Sequence, residues 1–232
     1  MPEITLYHGS PNIIVSPAYG KGNSHNDYGS GFYCTQDIEL AKEWACSTGI
    51  GGFANTYSID LTHLSILNLG APEYCLLDWL AVLVNHRVFF IDAPIVSEGM
   101  AYLSAYFLPD VDKFDAVKGY RADDSYFTFA ADFLSNTISL RQLSRAMYLG
   151  SLGEQFVLKS RKAFDALHFI RSEPADGRIY FAKRRDRDQQ ARDQYYRRER
   201  GFARQRDDLF MLDILREEMK RDDARLQRNL SW

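Results

Sequence analysis

Three short segments within the first 45 residues carry residue types that suit a binding site for a flat ring. Residues 7–10 read Tyr-His-Gly-Ser, residues 29–33 read Gly-Ser-Gly-Phe-Tyr, and Trp44 follows eleven residues after Tyr33. Aromatic side chains stack on planar ligands, and glycine lets the backbone approach a ligand closely. Each segment alone has an ordinary explanation, namely a hydrogen-bonded histidine, a turn and a core tryptophan.

In this order and spacing, the segments resemble the nicotinamide-binding half of ADP-ribosyltransferases of the diphtheria-toxin and poly(ADP-ribose) polymerase type. Those enzymes carry His-Gly(-Ser) at the end of the first strand. A Gly-x-Gly-apolar-Tyr segment follows, here with Gly31 as the second glycine, and then a helix with a second aromatic residue. The resemblance is specific over residues 5–45, looser to about residue 170, and absent from the tail. It implies NAD as a substrate and no metal.

The resemblance also implies a role for each residue of these segments. His8 would hydrogen-bond the adenosine ribose, the Gly9 backbone would hold the nicotinamide carboxamide, and Ser10 would assist at the ribose. Tyr33 and Trp44 would enclose the nicotinamide ring between them. The nicotinamide–ribose bond breaks through an oxocarbenium-like state with a cationic leaving group, so such an enzyme relies on orientation and electrostatic stabilisation.

The third catalytic element of this fold is usually a Glu on a late strand, which accepts a hydrogen bond from the ribose 2′-hydroxyl. The candidate here is Gln155, which precedes the aromatic Phe156 in an apolar segment. Neighbouring residues of a strand face opposite sides, so only one of Glu154 and Gln155 can point into a pocket. Gln155 can accept the same hydrogen bond but brings no negative charge.

Further candidates lie in the middle of the chain. The same N-terminal pattern resembles a little-described group of bacterial and phage proteins with this fold, often thought to be toxins. Their further hallmark is a turn resembling Tyr-x-x-Ala-Asp-Asp, and residues 120–124 here read Tyr-Arg-Ala-Asp-Asp, with one residue fewer. Asp123 and Asp124 could there hold an acceptor or act as a base, or simply cap a helix. Arg87 is a candidate partner for the NAD pyrophosphate, with a solvated surface arginine as the alternative.

The resemblance implies an α+β fold with a split, mainly antiparallel sheet, and a cleft in which His8, Tyr33 and Gln155 converge. Strands are predicted at residues 3–8, 31–34, 55–60, 113–117, 155–158 and 177–182, and helices after Thr35 and at residues 76–84, 97–107, 124–135 and 139–148, with a short element at 163–167.

A shift in charge predicts a domain boundary near residue 182. Residues 183–232 carry 15 Lys and Arg against 11 Asp and Glu, whereas residues 1–182 carry 13 against 20. We therefore expect an ADP-ribosyltransferase-like NAD-binding domain at 1–182 and a charged helical tail at 183–232. The tail is open to two interpretations, a solvated or oligomer-forming helix and a nucleic-acid contact, and its acidic residues favour protein contact, for example a homo-oligomer.

The remaining sequence features concern the compartment. The chain has three cysteines without a CxxC pair, and no signal peptide or apolar stretch long enough for a membrane span. These features predict a reducing, cytoplasmic location without membrane contact.

Three hypotheses for the function follow from the pocket that the resemblance implies. The first is an ADP-ribosyltransferase, as a toxin or effector that modifies a protein or nucleic acid and has a cognate antitoxin. The second is an NAD glycohydrolase. The third is a binding or regulatory module that keeps the fold without catalysis.

Overall fold

The computed structural model describes residues 3–122, 124–149, 153–201 and 205–228. It shows mixed α and β structure with one antiparallel and one mixed sheet, so the predicted α+β class is confirmed. The chain divides into two compact units. The first comprises Met1–Asn68, Asp110–Gly119 and Glu154–Arg187, and the second comprises Leu69–Pro109, Tyr120–Gly153 and Asp188–Trp232.

The first sheet of the first unit has the strand order β1-β3-β7. These strands are β1 (Glu3–Ser10), β3 (Gly52–Asp60) and β7 (Leu167–Ala175), and both pairings are antiparallel. Strand β7 was not predicted, because it lacks strict alternation and contains Pro174. A proline is tolerated there because β7 lies at the edge of this sheet.

The second sheet has the strand order β2-β6-β5-β4. Its strands are β2 (Phe32–Cys34), β4 (Ile66–Asn68), β5 (Ala116–Tyr120) and β6 (Glu154–Leu158). Strands β2 and β6 are antiparallel, and β4 and β5 are parallel. An isolated antiparallel bridge between Tyr7 and Thr35 joins β1 to the end of β2 and so connects the two sheets.

Helix α1 (Ile38–Ala45) packs against β1. The Asp37 side chain caps it by accepting hydrogen bonds from the Glu39 and Leu40 amides; Thr35, the predicted cap, instead belongs to the bridge between the sheets. Close packing explains Gly9 in β1, because a Cβ atom at this position would lie 1.9 Å from the Ala41 carbonyl oxygen.

The core of the first unit consists of alternate strand residues. In β2 and β6 the buried side chains Phe32, Cys34, Phe156 and Leu158 lie on one face and pack with Leu6 and Tyr57. Because the period of a strand is two, Tyr33, Gln155 and Val157 lie on the other face.

The second unit is mainly helical in its described residues. Its helices are α2 (Leu76–His86), α3 (Pro94–Tyr106), α4 (Asp124–Leu134), α5 (Leu140–Ala146), α8 (Met211–Arg216) and α9 (Ala224–Arg228). Ser139 caps α5 as predicted, accepting from the Gln142 amide. The first unit adds the short helix α6 (Arg161–Asp165) and a 3-10 turn at Val111–Lys113.

The strand predicted at residues 177–182 is wrong. Helix α7 (Gly177–Gln194) begins there, because the Asp176 side chain accepts from the Arg178 amide and the Asp176 carbonyl accepts from the Ile179 amide. The apolar residues Ile179–Phe181 resembled a strand, yet they form the first turns of a long, highly charged helix that continues into a π-helical turn at Tyr195–Glu199.

The tail is helical as expected, but its packing differs from a solvated extension. Six of its described apolar residues are fully or almost fully buried in the second unit, namely Ala191, Tyr195, Met211, Ile214, Met219 and Leu226. The compact units therefore do not divide at residue 182. None of the helices in the described ranges is long and apolar enough to cross a membrane.

Candidate functional site

His8 and Tyr33 meet where the two sheets of the first unit join. His8 Nδ1 lies 2.7 Å from the carbonyl oxygen of Tyr33. Because a carbonyl oxygen only accepts, Nδ1 donates and carries the proton. Burial lowers the pKa of His8 below its usual 6.5, and the bond to Tyr33 opposes this only in part. At neutral pH the ring is therefore neutral, and its Nε2 atom is a hydrogen-bond acceptor.

The His8 ring packs at the edge of β2. Its centroid lies 4.2 Å from that of Phe32, with 30° between the ring planes. Phe32 and Tyr33 point to opposite faces of β2, so the His8 ring lies on the face opposite the Tyr33 side chain. The contact between His8 and Tyr33 is thus made through the Tyr33 backbone.

Tyr33 and Gln155 lie on the same face of the second sheet. Tyr33 is directly opposite Val157 in the antiparallel pair, and Gln155 is two residues from Val157. Glu154 points to the other face and forms an ion pair of 2.7 Å with Lys118. Gln155 is 3% exposed, and its Nε2 donates to Asp27 Oδ2 over 2.9 Å.

The Tyr33 hydroxyl fixes the end of the loop between β1 and β2. It accepts from the Tyr28 amide at 3.0 Å and donates to the Gly29 carbonyl at 2.6 Å. Gly31 follows this loop and lies against β6, where a Cβ atom would come within 2.6 Å of Val157 Cγ1. Position 31 therefore requires glycine for packing.

A cavity of about 310 Å³ opens next to His8 in the first unit. It lies at the lower end of the usual range for ligand pockets, about 300–1,000 Å³. Of the residues predicted from the sequence, His8, Gly31 and Tyr33 line it; the loop residues Lys21 and Asn26 add polar groups. Apolar lining comes from Ile14, Pro17, Ala18, Phe32 and Phe164.

Gly9, Ser10, Trp44 and Gln155 do not line this cavity. It therefore does not bring His8, Tyr33 and Gln155 together as the sequence predicted, since the His8 ring lies on the face opposite Tyr33 and Gln155. Ser10 is buried, and its hydroxyl donates to the Asn12 carbonyl and accepts from Asn55 at 3.2 Å. Trp44 is half-buried on α1, the helix that packs against Gly9. Ser10 therefore shapes the backbone after β1 in this structure.

Sequence reasoning missed Asn55, which is fully buried in the middle of β3. Its Nδ2 atom donates to the carbonyls of His8 and Asn12, at 3.3 and 3.2 Å, and its Oδ1 accepts from the Ile14 amide at 3.0 Å. Asn55 thus fixes the backbone that runs from His8 to Ile14. No local signal distinguishes Asn55 in the sequence, because β3 also carries the polar residues Thr56 and Ser58.

The remaining candidates belong to the second unit or lie outside the described residues. The Arg87 guanidinium lies 5.4 Å from the centre of the Phe127 ring, a cation–π contact. Asp124 is the first residue of α4, as expected for a residue at a helix start. Asp123 lies outside the described residues.

The comparisons with known proteins identify a family. Residues 4–169 match the model of a family described as "Protein of unknown function (DUF3990)", and the chain belongs to this family. The match includes the second sheet, β1, β3 and the start of β7 in the first sheet, the loop between β1 and β2, and every site residue discussed above. No curated protein and no solved structure matches the chain.

Proposed function

We propose that the protein is an ADP-ribosyltransferase that uses NAD as its substrate. The observation that carries this proposal is the arrangement of His8, Tyr33 and Gln155 on neighbouring strands. His8 bonds the Tyr33 backbone at 2.7 Å, and Tyr33 shares a sheet face with Gln155. These are the residues to which the sequence resemblance assigns the roles of the His, Tyr and Glu of those enzymes.

The backbone at Gly9 supports a site for the nicotinamide carboxamide. Tyr7 exchanges both of its backbone hydrogen bonds with Thr35, at 2.8 and 2.9 Å. In an antiparallel pair, alternate residues direct their N–H and C=O groups to the same neighbour, so Gly9 directs its groups to the side of β2. An amide ligand there would find one donor and one acceptor.

The environment of His8 supports a ribose contact. Its ring is neutral at pH 7, and the acceptor Nε2 suits a ribose hydroxyl, which donates. The adjacent cavity is mostly apolar, as a nucleoside requires, and Lys21 adds a positive charge at its wall. The volume of about 310 Å³ fits a part of the dinucleotide.

The amide at position 155 favours a second candidate, a nucleotide-binding module without catalysis. A glutamine binds the 2′-hydroxyl as a glutamate does, but stabilises a developing positive charge less. An NAD glycohydrolase would use the same residues, with water as the acceptor.

Incubation of the purified protein with NAD labelled in the ADP-ribose part, together with a bacterial lysate, separates the candidates. Label on macromolecules supports the transferase, whereas free ADP-ribose supports the glycohydrolase. Unchanged NAD with measurable binding supports the module, and absence of binding contradicts the entire proposal. Nuclease and protease digestion of the labelled fraction then shows whether the acceptor is a nucleic acid or a protein.

The matched variants for this assay are Gln155→Ala and Gln189→Ala. Removing a pre-organised polar contact to the reacting centre typically costs roughly 10²–10³ in rate, so we expect Gln155→Ala to lose nearly all turnover. Gln189 is exposed on α7, and its variant should keep the wild-type rate. Equal rates for the two variants would remove Gln155 from the reaction.

The toxin or effector role rests on the resemblance to the bacterial and phage group, of which the turn at residues 120–124 is a further hallmark. Expression in a bacterial host should then arrest growth in the wild type but not in Gln155→Ala. A cognate antitoxin would be recognised by its ability to restore growth.

A further inference from the structure

Asp27 is a buried carboxylate in the loop between β1 and β2, and it binds the candidate residue Gln155. The Gln155 amide donates from Nε2 to Asp27 Oδ2 over 2.9 Å. The two residues are 128 positions apart in the chain, and they are only 6% and 3% exposed. Burying a carboxylate costs free energy unless it is hydrogen-bonded, and the bond to Gln155 gives Asp27 such a partner.

The residues after Asp27 hold the carboxylate in place. The Tyr28 amide and the Gly29 carbonyl are both bonded to the Tyr33 hydroxyl. The Tyr28 carbonyl accepts from Lys159 Nζ at 2.7 Å. Tyr33 belongs to β2 and Lys159 directly follows β6, so the chain at both strands of the candidate site also fixes the loop that carries Asp27.

We infer that Asp27 is a positioning residue, which orients the Gln155 amide and supplies the negative charge that Gln155 itself lacks. The inference rests on the proposed function. An ionised carboxylate can only accept hydrogen bonds, so the amide turns its nitrogen towards Asp27. The other branch of the amide, Oε1, is then the end that accepts from a ribose 2′-hydroxyl.

The charge of Asp27 acts through the amide. A carboxylate bound to the NH₂ group polarises the amide and increases the negative charge on its oxygen, because hydrogen bonds in series strengthen one another in a low-dielectric interior. Asp27 and Gln155 together thereby provide a negatively polarised acceptor where the enzymes that the sequence resembles have a glutamate. Asp27 itself touches Gln155 and needs no contact with the substrate.

The test compares four proteins by steady-state NAD cleavage: wild type, Asp27→Asn, Gln155→Glu and the double variant Asp27→Asn/Gln155→Glu. Asp27→Asn keeps the shape and one acceptor but removes the charge. We expect kcat to fall about 10- to 100-fold, the usual loss when a partner that orients a metal ligand is removed, while KM changes little. Gln155→Glu places two carboxylates in contact, where both cannot easily be ionised. The double variant returns to one carboxylate and one amide, and should recover most of the wild-type kcat.

Asp92→Asn is the matched control, because Asp92 is exposed. Wild-type kinetics for Asp27→Asn would overturn the inference while leaving the proposed function intact. Failure of the double variant to exceed both single variants would show that Asp27 has only a structural role. If Asp27→Asn does not fold, Gln155→Glu decides, since full activity beside an intact Asp27 contradicts the inference. A wild-type protein that binds but does not cleave NAD overturns both the inference and the proposed activity.

Discussion

Replacing Arg221 with methionine tests how the tail stabilises the second unit. Arg221 Nε donates to Asp78 Oδ1 at 2.6 Å, and Arg221 Nη2 donates to the Phe107 carbonyl at 2.8 Å. The Asp78 side chain is fully buried in the first turn of α2, where its other oxygen accepts from the Cys75 amide. Methionine keeps much of the side-chain volume and removes both bonds.

The expected loss in the free energy of unfolding depends on the hydrogen bond that Asp78 keeps after the substitution. Breaking a buried ion pair by removing one partner typically costs about 3–5 kcal/mol. The bond to Cys75 survives, and Arg221 is 39% exposed, so water can partly replace the guanidinium. We therefore expect a loss near the lower limit, about 3 kcal/mol in the free energy of unfolding. For a chain of this size, that corresponds to a fall in Tm of roughly 6–12 °C.

The pH dependence provides a second check on the same variant. Burial raises the pKa of Asp78 above 3.8, and Arg221 opposes that shift. Without Arg221 the folded-state pKa rises further. The folded state then binds more protons than the unfolded state between pH 3.8 and the new pKa, so stability falls as pH rises through this window. The deficit of Arg221→Met should be largest at neutral pH and smaller near pH 4.

Chemical denaturation of wild type, Arg221→Met and Arg216→Met measures these differences. Arg216 is an exposed residue of α8, and its substitution should change stability by less than about 0.5 kcal/mol. A deficit for Arg221→Met that equals that of Arg216→Met, or that does not change between pH 4 and pH 7, would refute the reasoning.

Three further predictions concern the candidate site and the tail. Trp44→Ala should weaken NAD binding in calorimetry while costing less than the about 3–5 kcal/mol typical of a buried tryptophan; a larger loss of stability would identify Trp44 as a core residue. A chain ending at Ala182 lacks Met211 and the other buried tail residues, so we expect an insoluble or partly unfolded product by circular dichroism; a soluble, folded product would show that the tail does not complete the core. Because the pKa of His8 is lowered on folding, the unfolded state binds more protons below pH 6.5, and stability should fall as pH decreases from there; His8→Gln, measured alongside, should lose that part of the dependence.

Signals from neighbouring residues were sufficient to predict several strands and helices. The strand ending near His8, the strand before α1, the apolar helix α2 and the serine cap of α5 all depend on neighbouring residues. The choice of Gln155 over Glu154 rested on the aromatic residue that follows it, and in the structure Gln155 lies on the same sheet face as Tyr33. Short-range periodicity and capping chemistry are readable without knowledge of the fold.

The features that the sequence did not predict depend on distant partners. Strand β7 exists because it pairs with β3, more than 100 residues earlier, and its own residues show no clear pattern. Asp27 lies in a loop rich in polar residues, and only the approach of Gln155 distinguishes it from its neighbours. The burial of tail residues depends on helices from three separate segments, so charge alone suggested a boundary that the packing does not follow.

The first unit is built from three separate segments of the chain, and this has a consequence for folding during synthesis. Strand β2 pairs with β6 and strand β3 pairs with β7, so the second sheet needs the chain up to residue 158 and the first sheet needs it up to residue 175. Contacts between such distant segments slow folding, and unpaired strand edges on a nascent chain favour aggregation. His8, Tyr33 and Asp27 are made early, yet the amide of Gln155 joins them only after two thirds of the chain has been translated. A fragment released before that point would carry the N-terminal motif without the completed site.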